Sequence, residues 1–546
     1  MTATPVRPDP SAPGAAVGRF GRRTASVGAV VAAALAGGAG RAAAADDGAD
    51  GVDGVDDLEA YKPRPHHGKD PLLSPEDRHL VSRFSYGITP KLAKDVRRAG
   101  GGQRWFERQL DGKRIKDKAS DKIAHWWPSL HRSPAELWQR QITGVEGGYE
   151  VMDDYARWVL MRRMTSKRQL LEIMTEFFEN HLHVAAVGDA QFTHRVDYGN
   201  TIRKHALGRF DQMLLATTTH PAMLIYLSAG ESTKDHPNEN LGRELLELHT
   251  VGVGNYTEKD VRDSARILTG YSVDYWETWR AVYNAEDHYR GKVKVKGFKD
   301  KNGKIIGKAT TAAYLRYLAH HKDTAEHLAY KLCLKFIDDK PSKSLVKHLA
   351  QVYLDNDTAI VPVLRALVAS RAFQQAEGQK VRDPGEDLVA TYRVLGVKIK
   401  PPVGEEADGS ALQALVWQSD SIGIAPFSWG PPNGQPIDNE SWSSPARLLA
   451  SMRFHRGVAA GWEEEGTVYR EPEQWLPGRH PRFDELVDHL CQQLLHRQSS
   501  KKLLKACCTA VDVKPYDPID DEHDLVKWRF PDLLSTILDS PDHLSR

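Results

Sequence analysis

"NENLGRELLELHT", Asn238 to Thr250, interleaves acids and amides with leucines. Placed on a helix at about 100° per residue, it sorts into two faces. Glu239, Asn240, Arg243, Glu244 and Glu247 share one arc. Leu241, Gly242, Leu245, Leu246, Leu248 and His249 fill the rest. That is an amphipathic helix, with a small residue at Gly242 for close approach. In a regular helix Glu247 and His249 point about 160° apart and cannot share a metal ion.

A second stretch, "QLLEIMTEFFENHLHV", behaves the same way. Glu172, Glu176, Glu179 and His183 line one face with Asn180 at its margin, while Met174, Phe177, Phe178 and Leu182 occupy the other. Each helix therefore sets one histidine, His181 or His249, on its apolar side. Two interpretations compete. In one, the acidic faces are solvated, laced by pairs such as Glu239 with Arg243, and the histidines are hydrogen-bonded core residues. In the other, the helices pack around a pocket in which a histidine is a ligand or general base, completed by Asn180, Glu239, Asn240 and Glu244. Neither stretch contains an HExxH or ExxH motif, and the sequence has no GxSxG or P-loop.

Working outward, 546 residues suffice for two or three folding units, and 40% hydrophobic with 27% charged residues suits a globular protein. The N-terminal 45 residues carry Arg22-Arg23, an Ala- and Gly-rich apolar run, and Ala43-Ala44-Ala45 before Asp46. This pattern predicts a cleavable export signal of the twin-arginine type, and an extracellular or cell-envelope location. With it removed, 69 basic and 72 acidic side chains remain. That balance, and the absence of any Lys/Arg run interleaved with aromatics, argues against nucleic-acid binding. No membrane attachment is expected after cleavage. The four cysteines are too few for a disulfide scaffold. Either Cys491 bridges to Cys507 or Cys508, or the thiols are free and buried.

Residues 46–71 read as a disordered linker, acidic from Asp46 to Glu59. A helical main domain is expected over 72–395, with a region of irregular loop and C-terminal helices over 396–546 packed against it. Ser74-Pro75 and Thr89-Pro90 read as helix starts, Gly100-Gly101-Gly102 as a stop. Thr257 with Asp260 resembles a capping box, and Val261, Ala265 and Leu268 the apolar stripe of the helix it opens. "GKVKVKGFKDKNGKIIG", 291–307, alternates Val with Lys and contains Asn302-Gly303, which predicts a β-hairpin. "APFSWGPPNGQPIDNESW", 425–442, is too rich in Pro and Gly for regular structure. It is either a lid or binding loop, or a rigid strap anchored by Phe427, Trp429 and Trp442.

The ordered set "EFFENHLHV", "IRKHALGRF", "HPAMLIYL", "NENLGRELLELHTVGVGNYTEKDVRDSARILTG", "HYRGKVKVKGF", "HHKDTAEHLAYKLCLKFIDDKP" and "SWSSPARLLASMRFH" closely resembles the bacterial family catalogued as domain of unknown function 1800, in its actinobacterial type. The resemblance implies an exported, largely α-helical protein, and a frequent co-exported neighbour with a sulfatase-like look. It brings no established reaction. Asn180, His181, Arg203, His205, His220, Pro221, Asn238, Glu239, Asn240, Arg243, Glu244, Glu247, His249, His288 and Gly291 match its motifs. Lys296 stands where an apolar residue is expected.

The expectation is a mainly α, multi-helix globular protein with a small β-hairpin insertion and a long Pro/Gly/Trp loop. His181, Glu244, Asn240 and His249 are the candidate catalytic residues. His181, Glu239, Glu244 and His288 are the candidate ligands of a divalent metal. Metal-assisted hydrolysis of an envelope or extracellular substrate is the chemistry these groups suggest. The alternative is a non-catalytic binding or assembly partner of the co-exported sulfatase-like protein, making contact through Trp429 and Trp442.

Overall fold

The computed structural model describes residues 71–546 apart from 187, 189, 403–409 and 463–464. The expected export signal, and all but the last residue of the linker, lie outside the described residues. The described chain is mainly helical, with 25 α-helices and three two-stranded antiparallel sheets. One continuous hydrophobic core runs from Leu73 to Leu538. No described helix is long and apolar enough to cross a membrane.

The helix ends follow their sequence signals. Ser74 Oγ accepts from the Asp77 N–H and Thr89 Oγ1 from the Leu92 N–H, and Gly100 closes the second helix in the left-handed region at φ 90°. Thr257 and Asp260 form a reciprocal capping box that opens the Glu258–Leu268 helix. Val261, Ala265 and Leu268 are all buried. Gly242 meets this helix so closely that a Cβ would lie 2.9 Å from the Ala265 nitrogen, which is why a glycine stands there.

The hairpin is present, but its turn is not at Asn302-Gly303. Val293–Val295 pairs with Phe298–Asp300, and Lys296-Gly297 makes the turn with φ of 51° and 102°. Lys296 is no misplaced strand residue. Its backbone takes the turn, and its ammonium reaches Asp323 at 2.9 Å. A second hairpin, which no alternation in the sequence marks, pairs Tyr271–Val273 with Ala281–Tyr283. All four cysteines are free and buried, so no bridge joins Cys491 to Cys507 or Cys508.

The Gln169–His181 helix is neither solvated nor open. Eleven of its thirteen residues are buried, so it runs through the middle of the fold. Its acidic face is neutralised internally. Glu172 pairs with Arg162 at 2.6 Å and Arg203 at 2.5 Å, Glu176 with Arg163 at 3.3 Å, and Glu179 with Arg195 at 3.1 Å. Tyr86 and Tyr155 donate hydroxyls to Glu176 and Glu179. Burial pushes the Glu172 carboxyl up, but Arg162 and Arg203 together bring it below its usual value. A carboxylate taken from water needs such partners, and each glutamate has at least one.

Residues 425–442 form a strap across the end of this helix. Asn180 holds it with both amide atoms, donating to the Gln435 carbonyl at 2.8 Å and accepting from the Gln435 N–H at 2.7 Å. His183 donates to the Trp429 carbonyl at 2.6 Å, and Tyr226 to the Gly430 carbonyl at 2.6 Å. Phe427 lies under the Arg195 guanidinium, 4.1 Å from its ring centre. At Gly434, φ is 70° and a Cβ would collide with the Asn180 backbone oxygen.

Candidate functional site

The signature stretch does not stay α-helical. Glu239–Glu244 is an α-helix, capped by the Asn238 side chain, which accepts from the Asn240 N–H at 2.8 Å. Leu245–His249 then widens into a π-helical turn. Such turns are rare and shift every later side chain around the axis. Glu247 and His249, two residues apart, still point to nearly opposite sides of the widened turn, as the sequence predicts.

The widened turn ends with carbonyls that no helical N–H can reach. Imidazoles take two of them. His181 Nε2–H donates to the His249 carbonyl at 3.1 Å, and His327 Nδ1–H donates to the Thr250 carbonyl at 2.8 Å. Lys331, one turn beyond His327 on the Lys322–Phe336 helix, donates its ammonium to His181 Nδ1 at 3.1 Å. An ammonium can only donate, so His181 is the neutral Nε2–H tautomer. The His181 ring centre lies 5.7 Å from that of His327 and 6.5 Å from that of His249. His249 Nε2 is buried without a hydrogen-bond partner among the described residues.

This cluster holds three imidazoles and a lysine, with no carboxylate among their hydrogen-bond partners in the described residues. Burial, then Lys331, lowers His249 to about 3 and His327 to about 4, and pulls His181 well below the usual histidine value. Burial alone lowers Lys331 to about 8. Reading the acidic helix faces does not select His327 and Lys331. Their i, i+4 spacing in "HLAYK" is the signal the sequence offers for them.

The other expected site residues are dispersed. Glu239 and Asn240 are exposed. Glu244 is half-buried, its carboxyl raised by burial and then by Glu247. Glu247 accepts the Tyr256 hydroxyl. His288 is buried elsewhere, with Nδ1 3.1 Å from the Thr269 carbonyl and Nε2 3.0 Å from Asn302 Oδ1. Trp429 and Trp442 are half-buried. Both indole N–H groups are spent inside the strap, Trp429 on Asn433 Oδ1 at 2.9 Å and Trp442 on the Pro436 carbonyl at 2.8 Å.

A divalent metal does not fit this donor set. His181 has no free lone pair, because Nε2 carries its proton and Nδ1 faces an ammonium. His181, Glu239, Glu244 and His288 are not among the described groups whose ligand atoms lie within 4.8 Å of one another. Two other groups are. Asp211, His320 and Asp357 are interlaced with Arg209 and Arg316. Asp387, His455 and His543 are fully buried. There His455 donates to Asp387 at 3.1 Å and to Asp539 at 2.7 Å, and Arg447 supports Asp387 at 3.1 Å. Burial opposes the imidazolium, but Asp387 and then Asp539 raise His455 to about 9. In both groups basic side chains already neutralise the carboxylates an ion would need. Beside the strap, Asn180, His183, Trp429 and Gln435 help line a cavity of only about 40 Å³. That is room for about one water molecule.

The family model described as "Protein of unknown function (DUF1800)" matches residues 79–545. The chain belongs to this family. No curated protein and no solved structure matches it. Two of the motifs named at the outset are thus joined physically in this DUF1800 chain. Asn180 clamps the strap, while His181, with His327 and Lys331 beside it, fastens the end of the 238–250 segment.

Proposed function

We propose that the chain is an exported, non-catalytic binding and assembly protein of actinobacterial type, delivered by its twin-arginine-like signal to the cell envelope or beyond. Its partner in this reading is the co-exported sulfatase-like protein. The observation that carries the proposal is the use of the signature imidazoles. His181, His183 and His327 each donate to a backbone carbonyl, and the cavity beside the strap is too small for a substrate.

The contact face lies next to the strap. Leu448, Leu449 and Met452 are exposed on one side of the Pro445–Ala459 helix, immediately after Trp442. Together with Leu448 and Met452, Leu449 at 66% exposed makes a contiguous apolar stripe on a helix whose other face is buried, and such a stripe marks a contact surface. Co-expression with the neighbour tests this. Leu449→Glu with Met452→Glu should lower the recovered partner at least about tenfold, and His181→Gln should leave recovery unchanged. Recovery that survives the stripe variant would contradict the proposal.

Lys331 supports a second reading, in which the chain is a hydrolase using this amine and His181 in proton transfer on an envelope substrate. Under it, a short pulse of an amine-reactive ester at neutral pH labels Lys331 ahead of surface lysines. Labelling no faster than theirs removes that reading.

A further inference from the structure

Away from the strap, a groove of about 1060 Å³ runs between the Pro90–Ala99 and Gly102–Leu110 helices, the end of the Gly148–Thr165 helix and the Lys398–Ile399 strand. It slightly exceeds the usual range of about 300–1,000 Å³ for small-molecule sites. Its floor is apolar, with Leu92, Trp105, Ile123, Met161 and Met164. Its rim carries eight lysines and arginines against one acid, Asp95. Arg98 and Arg114 have acidic partners in Asp95 and Asp111. Lys91, Arg108, Lys116, Lys167, Arg393 and Lys398 form no ion pair with the described residues. This concentration of one sign stands out on a chain whose net charge is only +1.

Arg393 is the most telling of the six. One arm donates to the Met164 carbonyl at 2.6 Å, capping the helix that ends at Thr165, but its Nε is buried without a partner among the described residues. Burial lowers Arg393 to about 10, and no carboxylate compensates. A half-buried guanidinium without a counter-charge, over an apolar floor, is arranged to receive an anion attached to something apolar.

We propose that this groove binds one molecule of an anionic phospholipid, the acyl chain along the Leu92–Met161 floor and the phosphate at Arg393 and the lysine rim. The inference is independent of the assembly role. It fits an exported protein that handles a lipid monomer at the cell envelope.

The test uses the full chain and the fluorescence of Trp105 and Trp126, which both line the groove. Monomeric 1-oleoyl lysophosphatidate should give a saturable one-to-one change. The lysophosphatidylcholine of the same chain should bind at least about tenfold more weakly, and inorganic phosphate should give no change. Lys116→Glu with Lys398→Glu, both on exposed residues, should weaken lysophosphatidate about tenfold while leaving the fold intact. Arg393→Met should do the same, with the charge-reversed pair guarding against a folding effect. Equal affinity for the two lipids, indifference to both variants, or no saturable binding would overturn the proposal. So would a peptide of residues 46–59 binding as tightly as lysophosphatidate, since that would assign the groove to the chain's own acidic segment.

Discussion

The protein buries imidazoles in two clusters and holds His249 in one and His455 in the other in opposite protonation states, while His543 beside His455 is pulled down by burial and then by His455. At the end of the 238–250 segment, His181, His249 and His327 sit with Lys331 and are held neutral, with values of about 3 for His249 and about 4 for His327. Near the C-terminal helices, His455 sits between Asp387 and Asp539 and is held as a cation up to about 9. Burial opposes the charge in both places. What differs is the neighbour: an ammonium reinforces the effect of burial, and two carboxylates outweigh it. A histidine in a motif therefore says little about chemistry until its partners are known.

Removing the carboxylate from the second cluster gives the largest expected effect. Asp387→Ala would leave the His455 and Arg447 charges buried with reduced compensation. The expected cost is about 3–5 kcal/mol, read as a fall in the denaturant midpoint. A loss below about 1 kcal/mol would mean that Asp387 is not the counter-charge that holds His455 protonated in the folded state.

His249 and His455 should also respond to pH from opposite sides. His249 is lowered from 6.5 to about 3, so the unfolded chain binds the proton more readily. Its contribution is present above about pH 6.5 and falls away as the pH drops toward 3. His455 is raised from 6.5 to about 9, so its contribution is present below about pH 6.5 and lost as the pH rises through 9. His249→Gln should flatten the acid limb of the stability profile by about 2–3 kcal/mol at pH 4 and leave the alkaline limb alone. An unchanged acid limb breaks the comparison.

The strap supplies a smaller effect. Gly434→Ala forces a Cβ against the Asn180 oxygen at a left-handed position, with an expected loss of about 1–3 kcal/mol. Limited proteolysis should then cut within 425–442 faster than in the wild type. Glu239→Gln, at an exposed residue, should change stability by less than about 0.5 kcal/mol.

Much of the architecture is legible in the sequence because it is local. Ser74, Thr89, Gly100 and the Thr257–Asp260 box mark helix ends through hydrogen bonds made within a few residues. The periodicity of 238–250 separates buried Leu241, Leu245, Leu246 and His249 from exposed Glu239 and Asn240, as found. It does not reveal the π-turn, whose last carbonyls at His249 and Thr250 are taken by His181 and His327 from two other helices. Nor does it reveal that Glu172, Glu176 and Glu179 are buried. Their partners Arg162, Arg163, Arg195 and Arg203 lie on other helices, and an acidic face reads the same whether water or arginine covers it. The groove is hidden for a related reason. Lys91, Arg108, Lys167 and Lys398 are scattered through the sequence and gather only in the fold.

A ¹⁵N titration of histidine-labelled protein tests most directly whether His181, which fastens the His249 carbonyl, and the buried ring of His249 are neutral groups rather than titrating catalysts. His249 should stay neutral down to about pH 4 and His181 should titrate well below the ordinary histidine value, while His455 should stay doubly protonated until the pH approaches about 9. Titration of His181 or His249 near the ordinary value of 6.5 would contradict this expectation.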